Sequence, residues 1–202
     1  MLPLVSHRDR QFPAFSLALP DWVARFLPPA QHVFATLEDR MELAVELARQ
    51  NVQRETGGPF GAVVFERDTG LLVAPGVNVV VPSRWSGGHA EMVAYAITQQ
   101  VLETHDLGSE GLPRYELVTS CEPCSMCYGA TPWTGVTRLV CGAREADAEA
   151  IGFDEGPKPD DWVETLAARG IDVERDVLRD KAAEVLKDYG SAGGNIYNGR
   201  RS

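Results

Sequence analysis

The stretches His89-Ala90-Glu91 and Pro123-Cys124-Ser125-Met126-Cys127 decide the fold, because each places potential metal ligands at the predicted start of a helix. The first follows the turn Ser86-Gly87-Gly88, and the second follows a predicted strand over residues 115–119. Cys124 and Cys127 are three residues apart, so their side chains lie on one face of a helix. Unpaired N–H groups at a helix N-terminus favour thiolates there. The two stretches therefore predict a shared metal site.

Two thiolates and one imidazole form a donor set suited to zinc. Three protein ligands leave a fourth position for water, which is the arrangement of catalytic rather than structural zinc sites. Such a site lowers the pKa of water towards about 7. Glu91 is expected beside that water as a proton carrier. The predicted zinc ligands are therefore His89, Cys124 and Cys127, and the predicted catalytic residue is Glu91.

A Cys-x-x-Cys pair has two other common uses, as a redox pair or as half of a zinc ribbon. A ribbon requires a second pair, and the sequence has only Cys121 and Cys141 besides. A redox pair usually opens the helix after the first strand of a thioredoxin-like unit, whereas several elements precede Cys124. Cys121 and Cys141 are expected in strands, as residues that do not bind the metal. The other histidines are expected to be structural: His7, His32 and His105.

Charge and composition exclude several classes of protein. The chain has 202 residues and a formal net charge of -10, which disfavours binding to nucleic acid or to an anionic membrane. No stretch approaches the ~20 apolar residues of a membrane span, and no apolar segment of a signal peptide follows the N-terminus. The few clustered cysteines indicate a reducing, cytoplasmic setting.

The chain divides into three predicted regions. Prolines punctuate residues 1–35, which are predicted to form an arm on the body of the protein. Residues 36–190 form the predicted catalytic domain, and residues 191–202 a C-terminal tail. Strands alternate with helices in the domain, which indicates an α/β sandwich with a central sheet. Helices are predicted over residues 36–56, 89–104, 161–169 and 178–189, and a further helix is predicted to begin at residue 124. Strands are predicted over residues 60–67, 71–74, 77–81, 115–119, 136–141 and 171–173.

The combined His-x-Glu and Pro-Cys-x-x-Cys pattern is the signature of zinc deaminases. The chain resembles the cytidine deaminase-like superfamily and, within it, the small zinc-dependent guanine deaminases of bacteria. The resemblance covers about residues 36–160. It extends to three longer stretches: Gly57-Gly58-Pro59-Phe60-Gly61-Ala62, Thr119-Ser120-Cys121-Glu122-Pro123-Cys124 with Met126 and Cys127, and Glu149-Ala150-Ile151-Gly152-Phe153-Asp154-Glu155.

The resemblance implies a three-layer α/β/α sandwich with a mixed five-stranded sheet. It implies that Glu155 reads the N1–H and amino edge of guanine and acts as a second catalytic residue. It also implies a homodimer, in which some members swap the C-terminal segment so that it closes the partner's site. The implied substrate contacts are Asn78, Phe60, Ala90, Trp133 and, from the tail, Tyr197.

The function implied by the resemblance is the hydrolytic deamination of guanine to xanthine and ammonia. Guanosine, an amino-triazine such as ammeline, and cytosine remain alternative substrates, because a few hydrogen bonds discriminate between such heterocycles. Editing of tRNA shares the metal motif, but the net charge of -10 argues against it. A catalytically silent zinc scaffold is a further alternative from a different class of protein.

Overall fold

A mixed sheet of five strands forms the centre of the structure, a computed structural model that describes residues 14–199. In chain order the strands are β1 (Gly61–Glu66), β2 (Leu72–Val77), β3 (Tyr115–Cys121), β4 (Arg138–Ala143) and β5 (Asp172–Glu174). Their spatial order is β2-β1-β3-β4-β5. β1 pairs antiparallel with β2 and β3, whereas β3, β4 and β5 run parallel. The predicted mixed five-stranded sheet is confirmed.

Helices cover both faces of the sheet and complete the three predicted layers. The helices of residues 14–199 are α1 (Trp22–Phe26), α2 (Leu37–Gln53), α3 (Val80–Ser83), α4 (Ala90–Val101), α5 (Ser125–Thr134), α6 (Glu145–Glu149), α7 (Trp162–Ala167) and α8 (Arg179–Ser191). α1, α2 and α8 pack on one face, and α4 and α7 pack on the other, with α5 beside α4. None of these helices is long and apolar enough to cross a membrane.

Strand β1 shows why the sheet has a core on each face. Val63 and Phe65 point to the α2 and α8 side, whereas Ala62 and Val64 point to the α4 side. All four side chains are fully buried. Successive side chains of a strand point to opposite faces, so a strand covered on both sides reads as a continuous apolar run.

The segment after the first hairpin differs from the prediction. Strand β2 runs through Pro75 and Gly76 and ends at Val77, and the predicted strand over 77–81 is wrong because Val80 begins the short helix α3. Proline is tolerated in β2 because this strand lies at an edge of the sheet. Helices α1 and α6 were not predicted from the sequence.

The N-terminal segment packs closely against the α2 face. Trp22 and Val23 are buried there, Phe34 joins the same core, and Val33 forms an isolated bridge with Leu71. Residues 1–13 of the predicted arm and 200–202 of the predicted tail lie outside the described residues, as does His7. A capping box begins α2, because Thr36 and Asp39 exchange hydrogen bonds between side chain and backbone.

Candidate active site

Two helix N-termini meet at the end of the sheet where strands β2 and β3 finish, and they bring the predicted ligands together. His89 is the N-cap residue of α4, and Cys124 is the N-cap residue of α5, while Cys127 lies in the first turn of α5. The backbone of Gly76 in β2 passes so close to α4 that an added Cβ would lie 2.1 Å from the carbonyl oxygen of Ala90. Glycine at this position therefore lets α4 approach the sheet and sets the place of His89.

The three predicted ligands have the spacing of a tetrahedral zinc site. Nδ1 of His89 lies 3.4 Å from Sγ of Cys124 and 3.6 Å from Sγ of Cys127. All three ligand atoms lie within 4.8 Å of one another. Ordinary Zn–S and Zn–N bond lengths at a tetrahedral angle require an S···N separation of about 3.6 Å. The donor chemistry and the spacing thus both fit Zn²⁺.

The environment of the two cysteines favours a thiolate even without the metal. A hydrogen bond from the Cys127 thiol, followed by one from the His89 imidazole, lowers the pKa of Cys124 to about 4 against the opposing effect of burial. The pKa of Cys127 is raised, because its thiol is the donor to Cys124 and is itself buried. Zn²⁺ held by Cys124 and Cys127 would take the place of this shared proton.

Glu91 lies in the first turn of α4 and faces the same cavity as His89 and Cys124. Only 7% of its surface is exposed. Burial, and next the charge on Cys124, raise the pKa of Glu91 to about 7, although His89 acts in the opposite direction. A carboxyl group with a pKa near 7 is well matched to proton transfer at neutral pH.

The predicted substrate contacts Phe60, Asn78, Glu155 and Tyr197 line the cavity that also contains the metal site. The cavity has a volume of about 160 Å³. Asn78 comes directly after β2, and its Oδ1 accepts a hydrogen bond of 3.3 Å from the backbone N–H of Val80. Among residues 14–199 its Nδ2 has no hydrogen-bond acceptor, so its hydrogens are free for a ligand.

Glu155 lies on the loop between α6 and α7, and this loop is fastened to the metal helix. The backbone N–H of Ser125 donates to the backbone carbonyl of Glu155 at 2.9 Å. The Glu155 side chain is buried with a pKa raised to about 8, first by burial and then by the negative charges of Cys124 and Glu91. Glu91 and Glu155 are thus two of the buried carboxyl groups that line the cavity, and the charge on Glu91 disfavours the ionisation of Glu155.

The C-terminal tail closes the cavity of its own chain in this structure. Tyr197 and Asn198 both line the cavity, and Asn198 exchanges hydrogen bonds with Asp154 and Gly152. The hydroxyl of Tyr197 is buried and has no hydrogen-bond partner within residues 14–199. A buried hydroxyl without a partner is costly, so Tyr197 brings an unused hydrogen-bonding group to the wall of the cavity.

Two predicted substrate contacts do not reach the cavity in this chain. Trp133 is 84% exposed, because α5 turns Cys127 and Thr131 inward and places Trp133 on the opposite face with Met126. Ala90 is fully buried against the sheet and does not line the cavity. Trp133 and Ala90 therefore do not line the cavity of a single chain, and their roles as substrate contacts stay predictions.

The structure adds residues to the cavity that the sequence pattern did not single out. Phe153 is the main one, since its ring packs edge-on against Phe60 at 5.0 Å and against Tyr197 at 5.2 Å. The position of Phe153, two residues before Glu155, was the one feature of the sequence that could have predicted its place in the cavity. The other added lining residues are Val80, Ser86, Glu122, Asp154, Asn198 and Gly199.

Comparison with known proteins agrees with this site. The model of the cytidine and deoxycytidylate deaminase zinc-binding region matches residues 35–143, more than half of the chain, and the chain belongs to this family. It is a zinc-dependent deaminase by family and by donor set. The guanine deaminase of Bacillus subtilis (strain 168) is 38% identical over 118 residues, which are 58% of this chain and 71% of that protein.

Solved structures extend the similarity to nearly the whole chain. The guanine deaminase from Nitrosomonas europaea has 48% identity and a TM-score of 0.84, covering 90% of this chain and 99% of that one. A structure of NE0047 in complex with 2,6-diaminopurine has 50% identity and a TM-score of 0.85, covering 93% and 98%. The expected deaminase fold is thus confirmed over the part of the chain that carries the site.

Proposed function

We propose that this protein catalyses the hydrolytic deamination of guanine to xanthine and ammonia. One observation carries the proposal: a single cavity is lined by Glu91, Asn78 and Glu155 and by His89 and Cys124, and the fully buried Cys127 completes the metal donor set beside it. The similarity to guanine deaminases, and to a related structure with a bound diaminopurine, supports a purine as the substrate.

The role of Glu91 is to carry protons during the reaction. Zinc, when bound, polarises the water that attacks the ring carbon carrying the amino group. Glu91 takes a proton from this water and gives it to the adjacent ring nitrogen. It then takes the second proton from the hydroxyl that the water has added to the ring and gives it to the departing amine, which leaves as ammonia while the water oxygen becomes the new carbonyl oxygen.

Asn78, Glu155 and Phe60 hold the base in the proposed complex. The Nδ2 hydrogens of Asn78 donate to an acceptor of the purine, and the carboxylate of Glu155 accepts from the N1–H and amino groups. Phe60 supplies an apolar wall. Because charge on Cys124 contributes to the raised pKa of Glu155, neutralising that charge with a bound cation lowers this pKa and favours the ionised, accepting form.

The alternative substrates are guanosine, an amino-triazine such as ammeline, and cytosine. The cavity of about 160 Å³, with Tyr197 and Asn198 in its lining, favours a free base over a nucleoside, because a nucleoside requires space for a ribose in addition to the base. A silent zinc scaffold is disfavoured because Glu91 is intact and faces the metal ligands. Measuring turnover of each candidate substrate distinguishes these alternatives.

The test is to incubate zinc-loaded protein with guanine and to follow the formation of xanthine. We expect kcat/KM of about 10⁴ M⁻¹s⁻¹ or more. The variant Glu91→Gln should keep its zinc and lose about a thousandfold in kcat. Absence of xanthine with zinc present would reject guanine, and the panel of guanosine, ammeline and cytosine would then be measured. No turnover across that panel would favour the scaffold.

We also propose that the protein is a cytoplasmic homodimer with a catalytic domain over residues 36–190, an arm over 1–35 and a tail over 191–202. The exposed apolar face of α5, with Met126 40% and Trp133 84% exposed, supports a partner at this helix. Four free cysteines among the described residues support a reducing compartment. The tail lies over its own cavity here, so an unswapped arrangement is the simpler form of the dimer.

A further inference from the structure

A buried amide behind the cavity joins two of the segments that line it. Asn51, in the last turn of α2, is fully buried. Its Nδ2 donates to the backbone carbonyl of Gly58 at 2.9 Å and to the backbone carbonyl of Asn78 at 2.8 Å. Both hydrogens of the amide are therefore used, one for the segment under Tyr197 and one for the proposed base-binding residue.

A second set of hydrogen bonds fixes the orientation of this amide. The hydroxyl of Thr56 donates to Oδ1 of Asn51 at 2.8 Å and accepts from Nε1 of Trp22 at 2.9 Å. Trp22 lies on α1 in the N-terminal segment and is 6% exposed. Because Thr56 donates to Oδ1, Nδ2 must face the two backbone carbonyls.

The geometry around Gly57 shows how closely these parts fit. A Cβ at Gly57 would lie 1.8 Å from the backbone carbonyl oxygen of Asn78 and 2.6 Å from Nδ2 of Asn51. Glycine is thus required for the amide to reach Asn78. The neighbouring Gly58 lies against the Tyr197 ring, where an added Cβ would be 2.4 Å from the hydroxyl oxygen.

Three hydrogen bonds hold Asn78 in place. Its backbone N–H donates to the carbonyl of Phe60 at 3.1 Å, its carbonyl accepts from Asn51, and its Oδ1 accepts from Val80. Of these, only the bond from Asn51 comes from outside the cavity lining. A displacement of Asn51 is therefore transmitted to Asn78, which lines the cavity.

We propose that Asn51 is a positioning residue for substrate recognition and that Thr56 and Trp22 keep its amide in the required orientation. The proposal rests on the proposed function, since Asn78 is taken to bind the base. It assigns a role to the N-terminal segment, which reaches the cavity through Trp22, Thr56 and Asn51. These hydrogen bonds fix the position of Asn78 before the substrate binds. A side chain that is already in position binds a ligand without a further entropic cost of ordering.

The first test compares Thr56→Val with Thr56→Ser, because serine keeps the hydroxyl and valine does not. We expect Thr56→Val to raise the KM for guanine about fivefold, as for one lost hydrogen bond, with kcat within about twofold of wild type. Thr56→Ser should stay near wild type. The control is Thr98→Val, which removes a fully buried hydroxyl that donates to Ala94 within α4 at 2.8 Å.

Two results in this series would overturn the proposal. One is an equal KM in Thr56→Val and Thr56→Ser, and the other is an equal rise in KM in the control Thr98→Val. Trp22→Phe keeps an aromatic ring and loses the N–H, so it should raise KM in the same direction as Thr56→Val. Asn51→Asp turns a donor into an acceptor opposite two carbonyls and should raise KM by more than about tenfold if it folds.

Crystal structures of wild type and Thr56→Val separate this proposal from the proposed function. We expect Asn78 to shift by more than about 0.5 Å in Thr56→Val. If Asn78 shifts in Thr56→Val but the wild-type protein does not convert guanine, the proposed function is rejected and the positioning role is kept. An Asn78 that does not move would reject the positioning role, whatever the substrate.

Discussion

Nδ1 of His89 lies 3.4 Å from Sγ of Cys124, although 35 residues separate them in the chain. Each is the N-cap residue of its helix, α4 or α5, and neither side chain caps its own helix. Both side chains are therefore free to face the gap between the two helices. The fold creates the metal site by bringing two helix N-termini together at the end of the sheet where strands β2 and β3 finish.

The zinc content of cysteine variants tests this arrangement. Cys124→Ala should lower the zinc content from about one ion per chain to nearly none, because the two remaining protein ligands do not form a stable site. Cys121→Ala is the matched control, since Cys121 is also buried but contacts the backbone carbonyl of Arg144 at 3.6 Å instead of the metal ligands. Metal analysis of the purified proteins measures both. Equal loss of zinc in the two variants would contradict the assigned ligands.

The unpartnered hydroxyl of Tyr197 gives a prediction in which stability and activity diverge. Tyr197→Phe removes a buried hydroxyl without a partner, so the free energy of unfolding should stay equal or rise by up to about 1 kcal/mol. The KM for guanine should nevertheless rise about fivefold, because Tyr197 lines the cavity and the variant loses an unpaired hydrogen-bonding group there. Urea unfolding and steady-state kinetics measure the two quantities. An unchanged KM would remove Tyr197 from the binding site.

The buried carboxyl of Glu155 predicts a pH-dependent stability of the metal-free protein. Folding raises the pKa of Glu155 from 4.5 to about 8, so the folded state binds its proton more tightly than the unfolded state. The stability due to the protonated form is complete below about pH 4.5 and is lost as the pH rises through about 8. We expect the wild type to lose about 2–5 kcal/mol over this range relative to Glu155→Gln.

Urea unfolding of both proteins at about pH 5 and about pH 8.5, with a chelator present, measures this difference. The comparison with Glu155→Gln cancels the titration of groups distant from Glu155, whereas Glu91 and Cys124, whose charges act on Glu155, contribute to the measured difference. An equal stability difference between the two proteins at both pH values would show that folding does not shift the pKa of Glu155.

The exposed ring of Trp133 predicts the site of dimer formation. Trp133→Glu should convert the proposed dimer to a monomer, because a charge is strongly disfavoured in a buried interface. Val101→Glu is the matched control, since Val101 is also an exposed apolar residue, at 61%, but lies at the end of α4. Sedimentation equilibrium measures the mass of each variant. A wild type that is monomeric, or a dimer that survives Trp133→Glu, would contradict the proposal.

Local patterns in the sequence were sufficient to predict most elements of the fold. The capping box at Thr36, the apolar run of β1 and the proline before Cys124 each act within a few residues, so their meaning did not depend on the rest of the chain. The strand predicted over 77–81 failed because the edge position of β2, which accommodates Pro75 and lets the chain turn away after Val77, is a property of the whole sheet.

The sequence by itself determined the chemistry of the site: the Cys124 and Cys127 pair, and Glu91 two residues from His89, are fixed by short-range spacing on helices. Only the tertiary structure decided which groups surround them, because the cavity is assembled from segments between residues 60 and 199. Packing turned Trp133 outward, brought Phe153 and Tyr197 over the cavity, and placed Asn51 behind Asn78. Spacing along the chain predicts which residues share a face of a helix, whereas contacts between distant segments depend on how the layers pack.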